Sequence, residues 1–308
     1  VSSPAVANPD RLQRFYRFTL AVLAVTLVVI LWGGYVRATG SGAGCGNHWP
    51  TCNGQIIPRS PGEKTIVEFT HRLTSGLSLL LIVVQLFWAR RLFPARHEVR
   101  RSAWAVLGLI LFEAIIGGGL VIFEMVAGNT SVARGYWMAA HLLNTFVLLA
   151  AMAIMSLRAQ RATGRAGLVD ADARVLPGFL RALAVGVVAL VLVAMSGAVV
   201  ALGDTLFPAT SLAHGFAQDL SPSAHLFVRL RVVHPALALT AGIYLLVVSA
   251  LLAGRDAGTG HLRRLATRVA GLVLLQLCLG ILNMVLLAPV TLQLAHLLVA
   301  DLLWLALV

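Results

Sequence analysis

Apolar runs recur along the chain, each near the roughly 20 residues that a helix needs to cross a bilayer. Eight are read, over residues 17–36, 71–89, 102–123, 136–157, 179–202, 230–252, 266–287 and 290–308. A soluble core has no use for that much apolar surface in 308 residues that are 59% hydrophobic and 12% charged. In hydrocarbon each backbone N–H and C=O must pair inside the protein. The chain therefore reads as an all-α polytopic membrane protein of eight transmembrane helices.

A formal net charge of +12 points to nucleic acid in a soluble protein. Here the charge sits in short loops and sets orientation, so no nucleic-acid partner is expected. Arginines cluster before the first run and after the second, fourth and sixth, which places 17 of the 24 basic residues on one side. By the positive-inside rule that side is cytoplasmic, and both termini face it. Neither a cleavable signal peptide nor a transit peptide is evident, so a bacterial cytoplasmic membrane is the expected location. The other basic residues, Arg37, Arg59, Lys64, Arg72, Arg134, Arg229 and Arg231, fall at or beyond the outer edge. They either snorkel to the interface or pair with carboxylates of an anionic ligand.

The sequence repeats internally. Shifted by 163 residues, Gly34 falls on Gly197, Gly40 on Gly203, His71 on His234 and Gly117 on Gly280. At a shift of 155, Ala140-His141-Leu142-Leu143 meets Ala295-His296-Leu297-Leu298, so the second half is eight residues shorter in its last outer loop. Four spans per half keep both halves in one orientation, which predicts two four-helix bundles related by a pseudo-twofold along the membrane normal. The basic segment around 158–178 links them, giving halves 1–165 and 166–308.

Chemistry collects at Glu68-Phe69-Thr70-His71-Arg72, where charge meets the second apolar run. Spacing i, i+3 puts Glu68 and His71 on one helical face. Ionisable residues at such a position are costly and read as functional. Each half offers two histidines, His71 with His141 and His234 with His296, about one turn inside the outer surface. A pair of imidazoles facing across a bundle suits axial ligation of haem iron. Zinc fits less well, because neither half offers three or four convergent ligands. Ser75, Thr145, Ala238 and Ala300, one turn deeper, are small enough to leave room for a flat macrocycle.

Glu68 aligns with Arg231, so only the first half sets a carboxylate beside its histidines. A carboxylate can accept a proton or stabilise developing positive charge, whereas arginine can hold a propionate. The plain alternative for Glu68 is a salt bridge to Arg72 at i+4. Cys45 and Cys52 share a Gly/Pro-rich outer loop, in a compartment that permits a disulfide, structural or redox-active. His48 between them reads as a surface residue and Cys278 as a packing residue. Glu113 aligns with Gln276 and predicts an interhelical hydrogen bond; Asn144 is placed to touch the first site. Asp301 lies about 140° around the helix from His296 and faces elsewhere. Neither a phosphate-binding glycine loop nor a paired-aspartate motif is found, which argues against a membrane prenyltransferase.

At these residues the chain resembles the haem A synthase family. The resemblance rests on Gly40-Ser41-Gly42-Ala43-Gly44-Cys45, Trp49-Pro50, Cys52-Asn53-Gly54-Gln55, Glu68-Phe69-Thr70-His71-Arg72 and the two Ala-His-Leu-Leu segments, and covers nearly the whole chain. It implies conversion of haem O to haem A by oxidation of a ring methyl to a formyl group, for use by terminal oxidases. Hydroxylation would occur twice, with the geminal diol losing water. His71 and His141 would hold the substrate haem iron, with Glu68 as the catalytic carboxylate. His234 and His296 would ligate a resident haem b. Arg37, Arg72, Arg229 and Arg231 are candidate propionate contacts. Cys45 and Cys52 match the members that carry an outer-loop pair, and Glu113 departs from an expected glutamine. Implied partners are a haem O synthase as supplier, an electron acceptor outside the chain and the lipid bilayer, and the reading is compatible with a homo-oligomer. The rival readings are a di-haem cytochrome b electron carrier, which the Glu68/Arg231 asymmetry opposes, and a haem transporter or binding protein.

Overall fold

The computed structural model describes residues 9–164, 177–255 and 260–308. Its helices are α1 (Pro9–Ala38), α2 (Glu63–Leu92), α3 (Glu98–Ile122), α4 (Val132–Ala162), α5 (Pro177–Leu206), α6 (Leu212–Asp219), α7 (Leu226–Gly254), α8 (His261–Val285) and α9 (Val290–Leu307). All but α6 are long and apolar enough to cross a membrane. The expected segment linking the halves includes residues 165–176, which lie outside the described residues.

Most helices outrun the apolar runs that announce them. Helices α1, α2 and α5 have 30 residues each and α4 has 31. At 1.5 Å per residue that is about 45 Å, against a hydrocarbon core of about 30 Å. Hydropathy marks the apolar core, while the hydrogen-bond ladder runs on through polar turns at each interface. Thus α2 begins at Glu63, and Glu68 and His71 lie in its second and third turns, not at its mouth. Side-chain caps close some ends: Ser131 accepts from Arg134 N–H, and His97 Nδ1 accepts from Val99 N–H. The short helix α6 was not expected, because its eight residues are far fewer than a membrane span and it lies between two long apolar runs.

Helices α1 to α4 pack in a closed cycle, each against its neighbours, and α5, α7, α8 and α9 repeat that cycle. Contacts between the halves run through α1, α4, α5 and α9. Polar side chains join helices at intervals. Thr26 and Ser78 hydroxyls meet at 2.9 Å between α1 and α2, and Tyr244 OH donates to Ala182 O at 2.9 Å between α7 and α5. One apolar core, including Phe15, Ile82, Val106 and Met155, fills the first four helices. The other crosses the junction, stacking Phe146 of α4 on Trp304 of α9 at 4.9 Å between ring centroids. Trp304 Nε1 donates to Phe146 O at 2.7 Å, so this aromatic contact also has a polar fastening.

Arg37 fastens the outer end of the same junction. From α1 it donates to Ala201 O at 2.8 Å and Thr205 Oγ1 at 3.1 Å on α5, and to Gln293 Oε1 at 2.6 Å on α9. Hydrogen bonds from a charged donor contribute roughly 1.5–3 kcal/mol each, and their loss strands acceptors in a poorly hydrated junction. Arg37→Met is therefore expected to cost at least about 2 kcal/mol of stability, read as a lower melting temperature in detergent. Unchanged melting would show that these bonds hold nothing together.

Candidate functional site

Each of the four histidines lies on the second or fourth long helix of its half, and each ring meets a glycine of the preceding long helix. His71 on α2 faces Gly33 of α1, and His141 on α4 faces Gly117 of α3. His234 on α7 faces Gly197 of α5, and His296 on α9 faces Gly280 of α8. A Cβ at Gly33 would stand 3.0 Å from the His71 ring, and one at Gly197 2.9 Å from the His234 ring. Any larger residue would push the imidazole out of its place. Two of the four rings thus lie against glycines of the first half and two against glycines of the second.

The rings differ in their next contacts. His234 Nδ1 hydrogen-bonds the Ser196 hydroxyl at 2.9 Å. Ser196 aligns with Gly33 in the first half, and His71 Nδ1 is buried with no hydrogen-bond partner among the described residues. His141 Nδ1 lies 3.4 Å from Glu113 Oε1, and His296 Nε2 lies 3.1 Å from Gln276 Nε2. The expected interhelical bond at Glu113 is present, since Asn144 Nδ2 donates to its Oε2 at 2.5 Å.

Glu68 is buried, and both its oxygens are engaged. Cys45 N–H donates to Oε2 at 2.8 Å, and Arg72 forks onto Oε1. The i+4 salt bridge is therefore real, but it belongs to a larger latch. Arg72 Nη1 also donates to His48 O and Thr51 O, both at 2.6 Å. Cys45 and Cys52 are joined across this loop, with their Cα atoms 4.4 Å apart. The loop also sends Trp49 onto α3, where its indole packs against Gly118 beside Trp137, which packs against Gly119.

In the second half the equivalent position carries the opposite charge. Arg231 Nε pairs with Asp204 at 2.8 Å, and its Nη1 lies 3.5 Å from Asp219 of α6. Its Nη2 donates to Gly203 O at 2.7 Å and Phe207 O at 2.6 Å. Both halves thus tie the segment before this helix to the same helical position, in one through a carboxylate and in the other through a guanidinium.

The four arginines expected at propionates all have protein partners: Arg37 at the junction, Arg72 and Arg231 in the latches, and Arg229 on Pro222 O. Cys278 is exposed on α8 instead of packed. Asp301 is fully buried, with no hydrogen-bond partner for either oxygen among the described residues. Ser196, Asp204 and Asp219 were missed; the first two sit one residue from the glycines that marked the repeat. Asp219 had no such marker.

A haem held by two axial imidazoles fits this donor set. No group of three or more His, Cys, Asp or Glu that could hold a metal ion occurs among the described residues. His71, His141, His234 and His296 are the imidazoles that would hold it, and the Nδ1 atoms of His71, His141 and His296 are buried with no hydrogen bond among the described residues.

Comparison with known proteins agrees with this geometry. A family model described as "Cytochrome oxidase assembly protein", COX15-CtaA, matches residues 16–308. A protein named protoheme IX farnesyltransferase from Thermus thermophilus is 42% identical over 306 residues, covering 95% of this chain and 47% of that protein. The chain thus spans about half the length of that relative. Heme A synthase of Alkalihalophilus pseudofirmus is 40% identical over 97 residues, 32% of this chain and 33% of that protein. Heme A synthase of Halalkalibacterium halodurans is 34% identical over 127 residues, 41% of this chain and 42% of that protein. With eight helices fit to span a membrane and a family match over nearly its whole length, this chain is a multi-pass membrane protein of the COX15-CtaA family of cytochrome oxidase assembly proteins.

Proposed function

We propose that the chain is a haem A synthase, oxidising a methyl group of haem O to a formyl group. The observation that carries this reading is unequal equivalence. Two histidine pairs occupy matching positions, and only the first has a buried carboxylate one helical turn away on the face of His71. In this reading His71 and His141 hold the iron of the substrate haem, and His234 and His296 hold a resident haem b. A bound haem b supplies one-electron redox chemistry next to the substrate half.

The protein's own share is placement and charge. Cys45 N–H and Arg72 fix the Glu68 carboxylate in one orientation, so it needs no reorganisation during the reaction. From there it accepts a proton from water or stabilises positive charge at the methyl carbon. The farnesyltransferase named among the relatives is about twice as long as this chain, and no paired-aspartate motif was found here. An enzyme that farnesylates protohaem is instead the natural supplier of haem O. The electrons leave to an acceptor outside the chain. We further assign residues 1–165 to the substrate half and 166–308 to the resident-haem half. The cysteine loop is placed outside a bacterial cytoplasmic membrane, with both termini in the cytoplasm, from the arginine asymmetry.

Cells supplied with haem O and expressing the chain are expected to yield haem A on pigment extraction. A di-haem electron carrier or a haem transporter would return haem O unchanged. Glu68→Gln keeps an acceptor for Cys45 N–H but loses the anion. It is expected to retain the haem b spectrum while haem A formation falls roughly 100-fold or more, at the lower end of general-base contributions. Haem A formation at the wild-type rate would leave Glu68 with the latch alone.

Loop placement and the disulfide share one test. Intact cells treated with a membrane-impermeant alkylating reagent are expected to label Cys45 and Cys52 only after an impermeant reductant. Labelling without reduction would overturn the disulfide; an Ile56→Cys variant, well exposed in the same loop, should label from outside without reductant, and failure to label would put the loop on the other side.

A further inference from the structure

Glu113 differs from its counterpart in the second half by more than one residue. Two donors converge on its carboxylate, and the His141 ring nitrogen stands close by. Asn144 Nδ2 donates to Oε2, the Thr145 hydroxyl donates to Oε1, and His141 Nδ1 lies 3.4 Å from Oε1. Asn144 is itself locked, because its amide also donates to Leu109 O at 3.1 Å, one turn before Glu113 on α3. Asn144 and Thr145 both turn donors toward it, which suits an accepting oxygen, and His141 Nδ1 is buried with no hydrogen bond among the described residues.

The repeat replaces this arrangement as a set. Gln276 stands for Glu113, Val299 for Asn144 and Ala300 for Thr145. Valine and alanine have no side-chain donor, and a carboxamide needs none to hold it as an anion. The donors are thus present only in the half that has the carboxylate to receive them. Gly117 and Gly280 both lie against the rings, but Glu113 stands beside His141 Nδ1 whereas Gln276 stands beside His296 Nε2.

We propose that Glu113 is a positioning residue for His141. It is placed to accept the Nδ1 hydrogen, leaves Nε2 as the nitrogen presented to iron, and makes that imidazole a stronger electron donor than it would be beside a carboxamide. A carboxylate behind a ligating histidine fixes its tautomer and raises its basicity. A first-half haem would therefore be held at a lower midpoint potential than it would have beside a carboxamide. This inference rests on the proposed haem ligation and adds an electronic difference between the two sites.

The test is an optical redox titration of the purified full chain with haem b as the probe in both sites. His141→Ala identifies the first-half wave by its loss. Glu113→Gln is expected to move that wave to higher potential and leave the second-half wave in place. Glu113→Asp, which draws the carboxylate back from Nδ1, is expected to move the same wave in the same direction, and it carries the test if Glu113→Gln does not accumulate. A first-half wave that His141→Ala abolishes but Glu113→Gln does not move would overturn the role of Glu113 and spare the haem assignment. If His141→Ala abolishes no wave, the ligation itself is wrong and this inference falls with it.

Discussion

A histidine within a membrane helix needs room for its ring between helices that otherwise meet side chain to side chain. Here the room comes from a glycine on the preceding long helix, four times over. The closest approaches, at Gly33 and Gly197, leave no space for even a methyl group without moving the imidazole. Small residues at helix contacts let backbones come close, and close packing is what holds helices together in lipid. The same contact therefore sets helix spacing and ring position. Loss of it would disturb stability and the proposed ligand geometry together.

Outside the histidines, the two halves use one scheme with charges reversed. Glu68 draws in the Cys45 loop with the help of Arg72, and Arg231 draws in Asp204 and Asp219. Charges left alone at this depth would be costly, and pairing with several hydrogen bonds offsets much of that cost. Anchoring the segment before the helix is the duty common to both positions. Only a carboxylate can add proton transfer to it, which is the basis for placing the proposed reaction in the first half. Glu113 follows the same division, since its donors Asn144 and Thr145 give way to Val299 and Ala300 in the other half.

Much of this was legible in sequence because lipid imposes simple rules. Long apolar runs, arginine asymmetry and a shift of 163 residues were enough to place eight helices and align His71 with His234. What stayed hidden depends on partners distant in the chain. Arg37 read as a snorkelling cation or a propionate contact, yet it bonds residues of α5 and α9 across the junction. Gly34 matched Gly197 in alignment, but the first-half ring rests on Gly33, one residue away. That offset puts Ser196 beside His234 and nothing equivalent beside His71. Helix α6 was invisible because its order comes from contact with α7, including Asp219 on Arg231, and not from its own eight residues.

The central claim is that the halves hold separate haems with different fates, and haem content per half tests it most directly. Haems would be extracted from the purified chain, made in cells that supply haem O, and compared with two double variants. With His234→Ala and His296→Ala, haem b should be lost while haem O can still bind. With His71→Ala and His141→Ala, haem b should remain and haem O and haem A should both vanish. Either double variant keeping the full wild-type complement would contradict the account.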